Sequence, residues 1–141
     1  MEVSLNMQLR QSFCAALIVL TAVAAPLAAH HSFAAEYDAT KQVTMSGKVT
    51  KVEWMNPHAF FYVDVKDEKT GQVTNWAFEL NSPNYLMRSG WTKSSLKVDD
   101  LVTVKGALSR DGNKQVNAST VQMTSTGKTL FAGSSDPNAP R

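Results

Sequence analysis

The chain of 141 residues contains only three histidines, His30, His31 and His58. Two of them are adjacent in "LAAHHSFAAEYD", where an apolar run ends. Imidazole nitrogen suits zinc, copper, nickel and iron. The single cysteine, Cys14, lies within the apolar run. A chain that sheds this run therefore has no thiolate ligand, no disulfide and no cysteine nucleophile. Cleavage after Ala29 makes His30 the N-terminus, and its α-amine (ordinary pKa about 8) joins its Nδ1 in one chelate. Copper, highest in the divalent affinity order, fits such an amine-plus-imidazole grip best. His58, just after Pro57 in "WMNPHAFFYVDV", is expected on a rigid strand facing away from the core. Met55 adds a thioether suited to Cu(I), and Glu36, Tyr37 and Asp38 are available oxygen ligands. The candidate metal set is therefore His30, His31, His58 and Met55. The competing reading is plain: a soluble histidine-bearing end, with His58 serving a turn hydrogen bond. Two adjacent histidines are a much weaker motif than paired CxxC or HExxH.

A second candidate site is a ligand face. His58, Phe60 and Tyr62 alternate with core positions on one predicted strand and lie beside Asn75 and Glu79 on the outward side of the next. Aromatic rings flanked by polar groups suit a sugar, a small aromatic molecule or a peptide strand. The opposing reading has the N-terminal arm or a helix covering these rings, because large exposed apolar patches are uncommon on monomers. Enzymatic chemistry has little support. No Gly-x-Ser-x-Gly or phosphate loop is present, and the carboxylates form no obvious pair, although Asp64 and Glu79 could meet across strands two and three. No catalytic residue is assigned, although copper redox chemistry at His30 remains compatible with the sequence.

Residues Phe13 to Ala29 carry no charged side chain and follow Arg10. A basic flank, an apolar stretch and small residues at its end describe a signal peptide. The run is short, alanine-rich and holds Pro26, unlike the roughly twenty strongly apolar residues of a membrane span. Cleavage after Ala29 is preferred to cleavage after Ala24, and acidic Glu2 points to Met7 as an alternative start. The expected product is exported and periplasmic, with no membrane span once the leader is cut. Net charge is +2 and basic residues are dispersed, which argues against a nucleic-acid partner. Roughly 110 mature residues suffice for one single-core domain.

The elements that must position these groups show period-two alternation. In "QVTMSGKVTKVEWM", Val43, Met45, Gly47 and Val49 share one face, and the apolar phase then slips to Val52 and Trp54. Such a slip beside a glycine predicts a bulge in a long bent strand. Ala59, Phe61, Val63 and Val65 face the core on the second strand. Trp76, Phe78 and Leu80 do so on the third, with Asn75 and Glu79 outward. Ser82, Pro83 and Gly90 mark the cap, first position and stop of a short helix, after which Trp91 folds back on Leu86. Two further strands follow, with a short extension at "KTLFAG". Strand, strand, strand, helix, strand, strand is the order of a five-stranded OB-like barrel, an all-β fold with small helical content. A β-meander sandwich is the alternative. The expected divisions are a signal peptide over 1–29, an arm over 30–41, the barrel over 42–131 and a disordered tail over 132–141.

"HHSFAAEYD", "GKVTKVEWMNPHAFFYVDV", "NWAFELNSPNYLMRSGW" and "LKVDDLVTVKG" together resemble a family of small exported proteobacterial proteins of unknown function. The resemblance covers nearly the whole mature chain and departs only at "KVDD", where Gly-Asp is expected. It implies an exported single-domain protein and brings no activity. At the level of fold and compartment, the chain is also similar to periplasmic OB-type copper and silver chaperones, which bind metal through His, Met and a nearby Trp. The combined expectation is a binding protein for a transition metal, copper preferred. The alternative is an accessory module that takes a small ligand or another periplasmic protein on the Phe60–Tyr62 face.

Overall fold

The computed structural model describes residues 32–133. Their elements are α1 (Ser32–Glu36), β1 (Tyr37–Glu53), β2 (Phe60–Lys66), β3 (Val73–Glu79), α2 (Pro83–Arg88), β4 (Leu101–Ser109), β5 (Gln115–Met123) and β6 (Thr129–Phe131). Antiparallel ladders join β3 to β2, β2 to β1, β1 to β4, β4 to β5 and β5 to β6. A short parallel pairing of β3 with β5 closes the ring. Five strands thus form the OB-like closure expected from the sequence, with α2 between β3 and β4, and β6 extends the sheet. Among the described residues no helix is long and apolar enough to cross a membrane.

The long first strand is what bends the sheet into a ring. Its pairing with β2 runs from Gly47↔Val65 to Val49↔Val63 and then jumps to Lys51↔Tyr62, so Thr50 is the extra residue of a bulge. This is the phase slip between Val49 and Val52. At Gly47 a Cβ would run into the Asp64 carbonyl, and at Gly106 on β4 one would run into the Asn117 carbonyl. Glycine is therefore needed where the strands approach most closely.

The barrel interior is filled by Val49, Ala59, Phe61, Val63, Phe78, Leu80, Leu86, Val102, Val104, Val116, Ala118 and Val121, with Phe61 stacked on Phe78 at 5.1 Å. Each of the larger of these side chains contributes about 1.5–3 kcal/mol by leaving water. Ser82 accepts from the Tyr85 amide at the start of α2, and Pro83 occupies the first turn. The chain leaves α2 through Gly90 at φ 88°, and the Trp91 amide donates to the Leu86 carbonyl at 2.9 Å. The buried Trp91 indole then donates to the Phe131 carbonyl at 2.8 Å, fixing β6. Trp54 and Trp76 are only partly buried against the same core.

Two boundaries differ from the sequence reading. The strand begins at Tyr37, inside the expected arm, and Ala132, expected in the tail, is fully buried. The early start is hidden by an irregularity. Tyr37↔Ser109 and Asp38↔Leu108 pair, but the next pair is Gln42↔Ala107. Exposed Thr40 and Lys41 in between erase the alternation. Asp38 holds this break, accepting from the Thr40 amide at 3.1 Å and hydroxyl at 2.7 Å. Those bonds, more than the charges of Arg110 and Lys41, keep its carboxyl below the usual range.

Candidate functional site

The strand-end geometry gathers one polar cluster. In β3 the alternation sends Phe78 into the core, so Glu79 projects from the opposite face. The parallel register sets Glu79 beside Asn117 and Ala77 beside Gln115. The segment carrying His58 is tied to the same place, since the Leu80 amide donates to the Ala59 carbonyl at 2.8 Å and the Ala59 amide to Asn81 at 3.3 Å. The Asn56–Pro57 peptide bond just before it is cis.

The outward face of Glu79 meets protein instead of solvent because the segment from Phe33 to Tyr37 folds over it. Phe33, Tyr37 and Ala107 form a second small apolar cluster, with the Phe33 and Tyr37 rings stacked at 5.7 Å. Arg110 clamps this segment. Its backbone amide donates to the Glu36 carbonyl at 2.8 Å, and its Nε donates to the carbonyls of Ala34 and Tyr37 at 2.9 and 3.0 Å.

Glu79 is 5% exposed, yet its carboxylate is fully engaged. The Tyr37 hydroxyl donates to Oε2 at 2.5 Å, His58 Nδ1 lies 2.6 Å from Oε1, and Asn117 Nδ2 approaches Oε1 at 3.5 Å. Gln115 Nε2 donates to the Tyr37 oxygen. Burial, then the bond to Glu79, pushes the Tyr37 phenol above its ordinary range. The His58 side chain is 39% exposed and opens on a cleft of about 20 Å³ lined by His58, Glu79, Leu80, Asn81, Asn117 and Gly133. That volume holds about one water-sized particle.

A carboxylate on one imidazole nitrogen fixes which nitrogen is free. With Nδ1–H directed at Glu79, neutral His58 carries its lone pair on Nε2. This is the arrangement that orients metal-binding and proton-accepting histidines.

The sequence reading set His58 beside Glu79 on the outward side of strands two and three but named only His58 as a metal ligand; the structure shows the two in direct contact. His30 and His31 lie outside the described residues. Met55 is exposed. Phe60 is half-buried and opposes Glu79 in register. Tyr62 directs its hydroxyl to Glu53 at 2.8 Å, with Lys51 5.2 Å over its ring. Asn75 donates to Thr50 and Asp64 at 3.0 and 2.8 Å. Asp64 therefore pairs with Asn75 rather than with Glu79. Among the described residues no group of three or more His, Cys, Asp or Glu is placed to hold a metal alone. Sequence reasoning offered Tyr37 only as an oxygen donor and missed Gln115 and Asn117. The available signal was a lone carboxylate between Phe78 and Leu80.

Fold and cluster define a small OB-like β-barrel with a carboxylate-oriented histidine at one strand end. The chain belongs to a family of unknown function (DUF6152), whose model matches residues 17–118. The match includes His58, Glu79 and Asn117 and stops before β6 and Gly133. No curated protein and no solved structure matches the chain.

Proposed function

We propose that this is an exported transition-metal-binding protein, copper preferred, in which His58 is the fixed ligand through Nε2. The observation that carries the reading is the 2.6 Å contact of His58 Nδ1 with buried Glu79. It leaves a single oriented imidazole nitrogen at the mouth of a cleft. Metal-binding histidines commonly give their other ring N–H to a carboxylate in this way. The sequence supports the remainder: His30 and His31 supply further nitrogen ligands, and cleavage after Ala29 adds the α-amine. Without a cysteine in the mature chain the ion is held by nitrogen, oxygen or thioether donors, and copper, highest in the divalent affinity order, fits the amine-plus-imidazole grip best. The reading takes in export to the periplasm and a metal-carrying role of the kind expected from the sequence.

Calorimetric titration of the exported protein with Cu(II) tests it. One equivalent binds tightly, His58→Ala weakens binding at least tenfold, and blocking the N-terminal amine weakens it further. Unchanged affinity in a His30→Ala, His31→Ala, His58→Ala variant refutes it.

A further inference from the structure

We infer that Tyr37 is a positioning residue for His58, acting through Glu79: its hydroxyl fixes the carboxylate so that imidazole Nε2 is the nitrogen left open at the cleft. This deepens the metal-binding reading, and only its affinity arm rests on that reading.

The argument starts from donor counting. A phenol has one hydrogen, and an amide nitrogen can only donate. Gln115 Nε2 donates to the Tyr37 oxygen, so the phenolic hydrogen goes to Glu79 Oε2. On the other oxygen, Asn117 Nδ2 and His58 Nδ1 both approach Oε1. An ionised carboxylate only accepts, so with Glu79 in that form the 2.6 Å contact requires a hydrogen on His58 Nδ1. The chain of bonds has one consistent direction, from Gln115 through Tyr37 to Glu79, and from His58 to Glu79.

Rotational freedom shows why the phenol matters. The last torsions of Glu and His side chains are broad, with no sharp staggered minima. Neither Glu79 nor His58 would hold its plane by packing alone, and His58 is partly exposed. Tyr37 is the rigid end of the chain. It is 1% exposed, stacked on Phe33, and anchored at its carbonyl by Arg110. It approaches Oε2, opposite the histidine bond, and so sets the carboxylate plane. Without the hydroxyl, Oε2 becomes a buried anionic oxygen lacking its donor, and the carboxylate turns toward Asn117 or entering water. The grip on Nδ1–H then loosens.

Tyr37→Phe tests this, because it keeps the ring and the stack on Phe33 while removing one oxygen. The first readout is long-range ¹H–¹⁵N NMR of metal-free protein at a pH where imidazole is neutral. Wild type shows His58 as the Nδ1–H tautomer, and Tyr37→Phe shows a mixture with Nε2–H. Loss of stability alone would not change a tautomer in the folded protein. Arg110→Ala, which keeps the phenol but frees the backbone that delivers it, moves the tautomer the same way to a smaller extent. It decides the matter should Tyr37→Phe not fold. In the second readout, Cu(II) affinity of folded Tyr37→Phe falls about 10-fold or more, as for other outer partners of metal-binding histidines. A folded Tyr37→Phe protein with His58 still wholly Nδ1–H overturns the inference. So does an unchanged tautomer in Arg110→Ala when Tyr37→Phe is unfolded. Absence of metal binding in wild type would instead overturn the metal reading and leave the tautomer result standing.

Discussion

Replacing Glu79 by glutamine keeps the side-chain shape and exchanges one acceptor oxygen for an amide donor. The carboxylate now serves the Tyr37 hydroxyl, His58 Nδ1 and Asn117 Nδ2. In the variant, the amide oxygen faces Tyr37 at least cost, because the phenolic hydrogen is held in place by Gln115. The new NH₂ then faces His58, which can accept it only by moving its own hydrogen to Nε2. Two hydrogen bonds to a charged group, each about 1.5–3 kcal/mol, become neutral ones of about 0.5–1.5 kcal/mol. Asn117 is left donor against donor, while relief of a buried charge offsets part of the loss. The net expectation is a destabilisation of about 2 kcal/mol. At roughly 4–8 °C per kcal/mol for a domain of this size, that lowers Tm by about 8–16 °C. Urea or thermal unfolding measures the first quantity, and ¹⁵N NMR of His58 reads the switch to Nε2–H. A Glu79→Gln protein as stable as wild type, with His58 still Nδ1–H, would refute the donor accounting on which the site rests.

Two other outcomes follow from the geometry. Gly106→Ala places a Cβ against the Asn117 carbonyl. It should cost about 1–3 kcal/mol in urea unfolding, as overpacking does, and its absence would show that β4 and β5 can part. Tyr37 has its folded pKa raised by burial and by Glu79. The stability it contributes is therefore fully present below the unfolded tyrosine value of about 10 and is lost as pH rises through the folded one. Alkaline unfolding followed by tyrosinate absorbance should show one of the three tyrosines ionising with loss of structure, and Tyr37→Phe should flatten that limb. Ionisation of all three before unfolding would contradict the burial argument.

Local patterns carried the barrel but not the cluster. The slip from Val49 to Val52 was readable because alternation reports which face is buried, and one extra residue reverses it. Ser82, Pro83 and Gly90 were readable because capping depends on near neighbours in sequence. Tyr37 and Glu79 are 42 residues apart and meet through the β3–β5 pairing and the Arg110 clamp, neither of which leaves a local signature. The break from Ala39 to Lys41 concealed the strand that delivers Tyr37. Alternation set His58 on the same outward face as Glu79, but grouping histidines by type assigned it to a metal set with His30 and His31 that left Glu79 out. Side-chain alternation alone could place Glu79 opposite Phe78 but could not tell that Phe33 and Tyr37 cover it.

Native mass determination of the exported protein as isolated, repeated with added Cu(II), tests the central claim most directly, because it reports the first residue and any bound ion together. The account predicts a chain beginning at His30 that carries one metal ion, with the ion lost in His58→Ala. A wild-type chain that stays metal-free with Cu(II) present, or a His58→Ala chain that holds the ion equally well, would contradict it.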